Sequence, residues 1–204
     1  MIYPKNLTII VPAFAVVNDP GDKRNFSQRL VFISAFAILH ASRGTDGRIS
    51  FRERVECDPS GNRTIDLLKQ LGEELEPDTT LAGWRLDYIV GSLIRLPRDS
   101  EREDEGKTPL LQLQIALAQE PLDVAWFDSG GGLLTLRQVA ARHGLRAEWD
   151  KAASSNPILT GDRLSARART IWAAIAEKML EQGDARRKAF ASFDQFNCAV
   201  DAMK

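Results

Sequence analysis

Three strand-like segments follow one another at the start of the chain, and their order limits the possible folds more than any other feature. Residues 7–17 are apolar and rich in β-branched side chains, residues 29–41 form a second apolar run, and residues 48–56 alternate between apolar and polar residues. Turn-forming sequences such as SRGTDG separate these segments. The pattern predicts three consecutive strands, of which the last two form a hairpin.

The next segments change from a strand period to a helical period and back. Residues 63–77 carry Ile and Leu at helical spacing and end in a proline, residues 79–86 read as a short strand, and residues 87–97 as a helix. The resulting order, β-β-β-α-β-α, predicts a mixed sheet that is flanked by helices, and therefore an α/β fold.

The second half of the chain is predicted to be mostly helical. The charged run at 98–107 contains almost no apolar residue, so we expect an exposed loop there. Residues 122–128 fit a strand or an irregular turn. Helical periods cover 109–120, 133–144, 163–183 and 184–204. We expect one domain over residues 1–204, with 184–204 as a helical C-terminal extension.

Composition excludes several classes of protein and favours few. The chain has 204 residues and a formal net charge of −1, so a nucleic-acid surface would require local clusters of Arg and Lys. The two cysteines are too few for a disulfide framework or a zinc site. No run reaches the roughly 20 apolar residues of a membrane span, and the N-terminus lacks the features of a signal peptide. We expect a cytoplasmic protein with no membrane partner.

Two stretches resemble a known family. LAGWRLDYIVGSLIRLP, at 81–97, has a strand-to-helix junction with Asp87 at its turn, and residues 122–145 contain Asp123 and Asp128 near a second acidic position. Together with the order of elements, they resemble the DEDD-type 3′–5′ exonucleases of the ribonuclease-H-like superfamily, in the branch related to the proofreading domain of family B DNA polymerases. The resemblance implies a ribonuclease-H-like mixed sheet and carboxylates that hold Mg²⁺ or Mn²⁺.

The carboxylate set departs from this family. Ala13 and Ala15 stand where the family has an Asp and a Glu on the first strand, and the Asp of the late helix would fall at 167–170, where no carboxylate lies. Alternate residues of a strand share one face, so two carboxylates at 13 and 15 would converge on the metals. With Asp87 as the matched metal ligand, we expect a vestigial catalytic site.

Each acidic candidate also has a structural interpretation. Asp87 begins a predicted helix and could be its N-cap, whereas Asp123 and Asp128 could be turn or cap residues. His143 precedes Gly144 at a predicted helix end, where it would interact with the helix dipole, and His40 would cap the end of a strand.

Basic and aromatic side chains offer a separate route to function. A nuclease-like fold could hold phosphates without cutting them, and an indole ring could stack on a base. The candidate nucleic-acid-binding residues are Trp84, Arg85, Arg163, Arg167 and Arg169. The alternatives are a solvated helix face for the arginines and burial in the core for Trp84.

Three functional hypotheses follow. The first is a catalytically degenerate 3′–5′ exonuclease-like protein that binds single-stranded DNA or RNA or acts as an interaction module. The second is an active exonuclease that depends on Mg²⁺ or Mn²⁺, in which Asp19 and Asp22 replace the missing acids or the two alanines are engineered. The third is a non-enzymatic interaction domain, with a homodimer formed through the Phe-rich last helix.

Overall fold

The computed structural model describes most of the chain. The described residues are 3–17, 30–58, 60, 63–75, 78–86, 88, 89, 92, 103–117, 119–126, 136–145, 157–180 and 182–202.

A five-stranded mixed sheet forms the centre of the molecule. Its strands are β1 (Asn6–Val17), β2 (Leu30–Arg43), β3 (Ile49–Cys57), β4 (Thr80–Gly83) and β5 (Leu122–Asp123). The order in the sheet is β3-β2-β1-β4-β5. β2 is antiparallel to both β1 and β3, whereas β4 is parallel to β1 and β5 is parallel to β4. The predicted α/β class and the mixed sheet are therefore confirmed.

Five helices are described around the sheet. They are α1 (Thr64–Glu73), α2 (Glu103–Leu117), α3 (Leu136–Arg142), α4 (Pro157–Met179) and α5 (Asp184–Ala202). A single 3₁₀ turn, Val124–Trp126, follows β5. The described residues just after β4, at 86, 88, 89 and 92, are also helical.

Alternation along the strands divides the apolar side chains between two cores. Leu7, Ile9 and Val11 of β1 join α3, α4 and α5 in one cluster, whereas Ile10 joins α1 and α2 in the other. Successive residues of a strand point to opposite faces, so helices cover both sides of the sheet. This explains why β1 reads as a continuous apolar run rather than as an alternating one.

The core beneath α4 contains one hydrogen bond between two distant aromatic residues. The indole N–H of Trp172 donates to the hydroxyl oxygen of Tyr3 at 2.9 Å, and both side chains are buried. Burial raises the pKa of Tyr3 to about 12, against the smaller lowering effect of this hydrogen bond. The bond fixes the chain's N-terminal segment to α4.

Two predicted boundaries were wrong. The segment 98–107 was predicted to be an exposed loop, but α2 begins at Glu103, and residues 98–102 lie outside the described residues. Acidic residues suit the first turn of a helix because they interact favourably with its dipole. Pro109 lies inside α2, whereas we had taken it for the start of the helix.

The strand predicted at 79–86 is shorter in the structure. It ends at Gly83, and Arg85 has a φ of 57°, which is a left-handed conformation that ends a strand. The long helix predicted at 163–183 begins earlier, at Pro157, because proline is well suited to the first turn of a helix.

The aromatic face of α5 packs within the chain. The Phe193 ring lies 4.3 Å from the Trp172 ring and 5.5 Å from that of Phe51, and Phe196 stacks on Phe51 at 5.2 Å, measured between centroids. The homodimer through this face stays a prediction, and within one chain the rings of Phe193 and Phe196 pack against α4 and β3. None of the helices in the described part of the chain combines the length and apolar character that crossing a bilayer requires.

Candidate functional site

A cavity of about 170 Å³ lies at the carboxyl end of β4, beside the middle of β1. Three segments that are far apart in the sequence form its walls. The side chains that matter most are Pro12 and Phe14 from β1, Trp84 and Arg85 from the segment after β4, and Arg167 from α4.

The difference in length between β1 and β4 opens this cavity. The parallel ladder ends where Ile9 pairs with Ala82, and β4 ends at Gly83, whereas β1 continues to Val17. The chain therefore leaves the sheet beside β1, and the cavity occupies the space beyond that point. Crevices outside the carboxyl ends of parallel strands are the usual ligand sites of α/β sheets.

Asp123 holds the turn that follows β4. Its Oδ1 accepts hydrogen bonds from the backbone N–H groups of Arg85 at 2.8 Å and Ala125 at 3.0 Å, and its Oδ2 accepts one from Leu86 at 2.8 Å. A non-glycine residue at a φ of 57° is unfavourable unless its surroundings fix it. The carboxylate thus stabilises the backbone that presents Arg85 to the cavity, which is the structural role that the sequence offered for Asp123.

The described cavity lining is positively charged. Arg85 is exposed and Arg167 is half-buried, and among the described residues of the lining no Asp or Glu accompanies them. A guanidinium group presents its N–H donors in a planar fork that matches the oxygens of a phosphate. Trp84 is half-buried and Tyr88 is 66% exposed, so both offer ring surface near these donors.

Comparisons with protein-family models, with curated proteins and with solved structures found no match.

Ala13, which stands at an acidic position of the family, is not among the described residues that line the cavity. Ala13 is half-buried and packs against the core beneath α4, and the register between β1 and β2 shifts directly after it. The side chain of Ala15 lies outside the described residues, and so do Asp87 and Asp128. Within the part of the chain that is described, no three His, Cys, Asp or Glu side chains form a group that could hold a metal ion.

Arg169 lies away from the cavity, although the sequence grouped it with Arg167. Its Nη2 donates to Glu53 Oε2 at 2.9 Å and to Ser165 at 2.8 Å, and its guanidinium carbon lies 5.4 Å from the centre of the Phe196 ring. The side chain is only 6% exposed. Arg169 lies two positions after Arg167, and a step of two positions turns a side chain to the other side of a helix.

Arg163 precedes Arg167 by one turn of α4 and is half-buried. The two side chains lie on the same side of the helix because residues four apart are neighbours on a helix surface. Arg163 does not belong to the cavity lining described above, so it would extend the positive surface along α4 rather than enter the cavity.

A buried polar cluster near the start of β1 was not predicted. His40 Nε2 lies 2.9 Å from Glu74 Oε2, His40 Nδ1 lies 3.0 Å from the Thr8 hydroxyl, and that hydroxyl lies 2.9 Å from the hydroxyl of Thr79. Arg54 also donates to Glu74, at 2.9 Å. His40 was predicted to cap a strand end, but it links β1, β2 and α1 instead.

Glu74 is held ionised by its neighbours. Burial raises the pKa of Glu74. Hydrogen bonds from Arg54 and His40 and the charge of Arg52 lower it, and their combined effect outweighs that of burial, so the pKa lies below its ordinary value. These partners lie between 20 and 34 residues away in the sequence. Such spacings leave no local pattern, which is why the sequence alone did not reveal the cluster.

His143 binds an acidic side chain rather than only the end of its helix. Its Nε2 lies 2.7 Å from Glu177 Oε1, and its ring stacks on Phe190 with the centroids 4.9 Å apart. Arg142 pairs with the other carboxylate oxygen of Glu177 at 3.2 Å. These contacts tie α3 to α4 and α5, which is a structural role.

Proposed function

We propose that this chain is a catalytically degenerate, 3′–5′ exonuclease-like protein of the ribonuclease-H-like type that binds single-stranded DNA or RNA through the cavity beside β1. The observation that carries the proposal is the meeting of three segments in one cavity. The resemblance assigned positions 13 and 15 of the first strand, the junction at 81–97 and the late helix to one site, and side chains from these three elements line the same cavity, with Pro12 and Phe14 as neighbours of the strand positions.

The order of the strands is consistent with this proposal. Three antiparallel strands are followed by a crossover through α1 to β4, which is parallel to β1. This order supports the ribonuclease-H-like mixed sheet that we propose. A fold does not determine a function, however, so the functional argument depends on the residues of the cavity.

Those residues favour binding over hydrolysis. Two-metal hydrolysis needs several carboxylate oxygens around the ions. Ala13 supplies none, Arg167 stands on the late helix where the family has an acid, and both oxygens of Asp123 accept hydrogen bonds from the backbone. Arginines can hold phosphate groups directly by charge-assisted hydrogen bonds.

Fluorescence anisotropy with a short labelled single strand, titrated at several salt concentrations, tests the proposal. The logarithm of the affinity should fall with the logarithm of the salt concentration by about 0.7 for each phosphate that the protein contacts. Arg167→Gln should weaken binding and reduce this slope by about the value for one contact. Arg187→Gln on α5 is the matched control, because this exposed side chain lies outside the cavity.

Two results would contradict the proposal. Binding that does not change with salt, or that Arg167→Gln leaves intact, would exclude the cavity as a nucleic-acid site. Degradation of the strand in the presence of Mg²⁺ or Mn²⁺ would show that catalysis has been retained.

A further inference from the structure

We propose that the edge strand β3 pairs with β3 of a second copy of this chain, so that the two sheets join into one across a two-fold axis at Val55. No residue of β3 lines the cavity beside β1, and the inference does not depend on the proposed function. It follows from the position of β3 in the sheet, from the direction of its backbone groups and from the pattern of its charges.

The position of β3 leaves one side of a long strand open. β3 has nine residues and lies at one end of the sheet, next to β2, whereas β5 at the other end has two. None of the residues 50–57 is buried, but residues 33–41 of β2 all are. A long edge strand presents a row of backbone N–H and C=O groups that another strand can pair with.

The ladder between β2 and β3 shows which backbone groups point outward. The N–H of Gly44 donates to the C=O of Arg48 at 2.8 Å, and the N–H of Asp58 donates to that of Ser34 at 2.7 Å, at the two ends of an unbroken register. Bonded pairs alternate along an antiparallel ladder. The even-numbered residues of β3 therefore bond to β2, and the odd-numbered residues direct their N–H and C=O groups away from the sheet.

These outward groups are available for a second strand. They belong to Phe51, Glu53, Val55 and Cys57, and among the described residues no hydrogen bond reaches their backbone atoms. A second β3 in antiparallel orientation would bond to them through its own odd-numbered residues. Odd residues then face odd residues, so the two-fold axis passes through a residue and not between two.

The charges of β3 favour an axis at Val55. This axis sets Arg54 opposite Glu56 of the second copy, and Arg52 opposite Asp58, on both sides of the axis. Opposite charges directly across two strands stabilise their pairing, and like charges destabilise it. The surface is therefore complementary to itself, which is what a two-fold contact between identical chains requires.

The other axes are less favourable. An axis at any charged residue of β3 sets that residue against its own copy. An axis at Cys57 sets Glu56 against Asp58, and an axis at Phe51 leaves residues 54–57 without a strand opposite them, because β3 begins at Ile49.

The pairing leaves the contacts within each chain in place. Arg54 donates to Glu74 at 2.9 Å and to Glu56 at 3.2 Å, and Arg52 pairs with Glu74 at 3.1 Å. The choice of axis depends on the sign of the charges that face each other across the edge, and these bonds do not change that sign.

Light scattering of the full chain during size-exclusion chromatography, over a range of concentrations, tests the proposal. The unaltered protein should reach twice the mass of one chain. Arg54→Glu and Glu56→Arg each set like charges opposite on both sides of the axis, so each should raise the dissociation constant by about tenfold or more. Arg187→Glu, an exposed position of α5, is the matched control and should dimerise as the unaltered protein does.

An equimolar mixture of Arg54→Glu and Glu56→Arg separates a lost contact from a lost fold. One chain then presents two positive residues and the other two negative ones, so the mixture should form the dimer that neither variant forms alone. A variant that had misfolded would not be rescued in this way.

Hydrogen exchange gives a second measurement on the unaltered protein. The amides of Glu53, Val55 and Cys57 should exchange more slowly at concentrations above the dissociation constant than below it. Those of Arg54 and Glu56, which bond to β2, should exchange alike at both.

Three results would overturn the proposal. One is a single-chain mass at every concentration, which would mean that the charges of β3 keep other strands away. Another is a dimer that both charge reversals leave intact, which would assign the contact to another surface such as the Phe-rich face of α5. The third is a mixture that stays monomeric although both variants are folded by circular dichroism, which would exclude the axis at Val55.

Discussion

At the residue scale, Asp123 shows how a side chain that resembles a metal ligand can serve the backbone. Its two oxygens accept three N–H groups from the turn after β4 and from the residues after β5. It lies near the start of the helical residues that follow β4, where a negative charge interacts favourably with the helix dipole. The carboxylate thereby joins β5 to the segment that carries Trp84 and Arg85.

We predict that Asp123→Ala lowers the free energy of unfolding by about 1–2 kcal/mol, because three backbone donors lose their acceptor. Urea denaturation followed by circular dichroism measures the change. Asp194→Ala, at an exposed position of α5, is the control and should change the stability by less than about 0.5 kcal/mol. Equal effects of the two substitutions would refute this role for Asp123.

At the scale of the elements, α1 and α2 approach each other closely at Gly72. A Cβ atom built on Gly72 would lie 3.0 Å from the Cα of Pro109 and 2.7 Å from the side-chain oxygen of Gln112. The absence of a side chain at Gly72 therefore lets α2 lie directly on the end of α1. Pro109, which misled the prediction of where α2 begins, is one side of this contact.

Gly72→Ala is expected to lower the free energy of unfolding by about 1–3 kcal/mol, because the added methyl group overpacks the interface against backbone atoms. In an isolated helix the same change would stabilise by up to about 1 kcal/mol. Gly161→Ala in α4 is the comparison, since its methyl group would meet only the side chains of Val55 and Cys57. Thermal or urea denaturation that shows both variants stabilised alike would contradict the close approach.

Periodicity predicted the elements better than their ends. β1, β2, β3 and the long helix α4 follow from patterns of apolar residues that extend over many positions. The end of β4 depends instead on the left-handed Arg85 and on its contact with Asp123, which is 38 residues away. Contacts of this kind leave no trace in a local pattern.

The candidate site was predictable only in part. The resemblance drew attention to Trp84 and Arg85, and the cluster of arginines on the long helix drew attention to Arg167. All three line one cavity. The sequence could not separate Arg167 from Arg169, because which side of α4 faces the sheet depends on the packing with Glu53 and Phe196. The buried His40 pairs with Glu74 across 34 residues and was beyond any sequence argument.

At the scale of the whole molecule, the buried His40 cluster and the cavity lie at successive positions along β1. Thr8 belongs to the buried cluster around His40, whereas Pro12 and Phe14 line the cavity. At roughly 3.4 Å per residue along a strand, Pro12 lies about 14 Å and Phe14 about 20 Å beyond Thr8. Perturbation of the His40 cluster should therefore change stability without removing a wall of the cavity.

Acid should destabilise the protein through Glu74 of this cluster and through Asp58, which lies before α1. The pKa of Glu74 lies below its ordinary value of 4.5. Burial raises the pKa of Asp58, but hydrogen bonds from Ser60 and from the backbone of Arg63 outweigh burial, so this pKa also lies below its ordinary value of 3.8. On acidification the unfolded chain therefore binds protons before the folded protein does. The stabilisation is complete above the unfolded pKa values and is lost as the pH falls through the lower folded ones.

Glu74→Gln tests this origin of the acid sensitivity. We expect it to lower the free energy of unfolding by about 2 kcal/mol near neutral pH, because Arg54 and His40 lose a buried ionised partner. It should also flatten the dependence of stability on pH below about 4.5. Urea denaturation at a series of pH values measures both effects. Glu73→Gln, at the exposed neighbouring position, is the control and should leave the dependence of stability on pH unchanged. If Glu74→Gln shows a pH dependence as steep as that of the unaltered protein, the acid sensitivity belongs to other carboxylates.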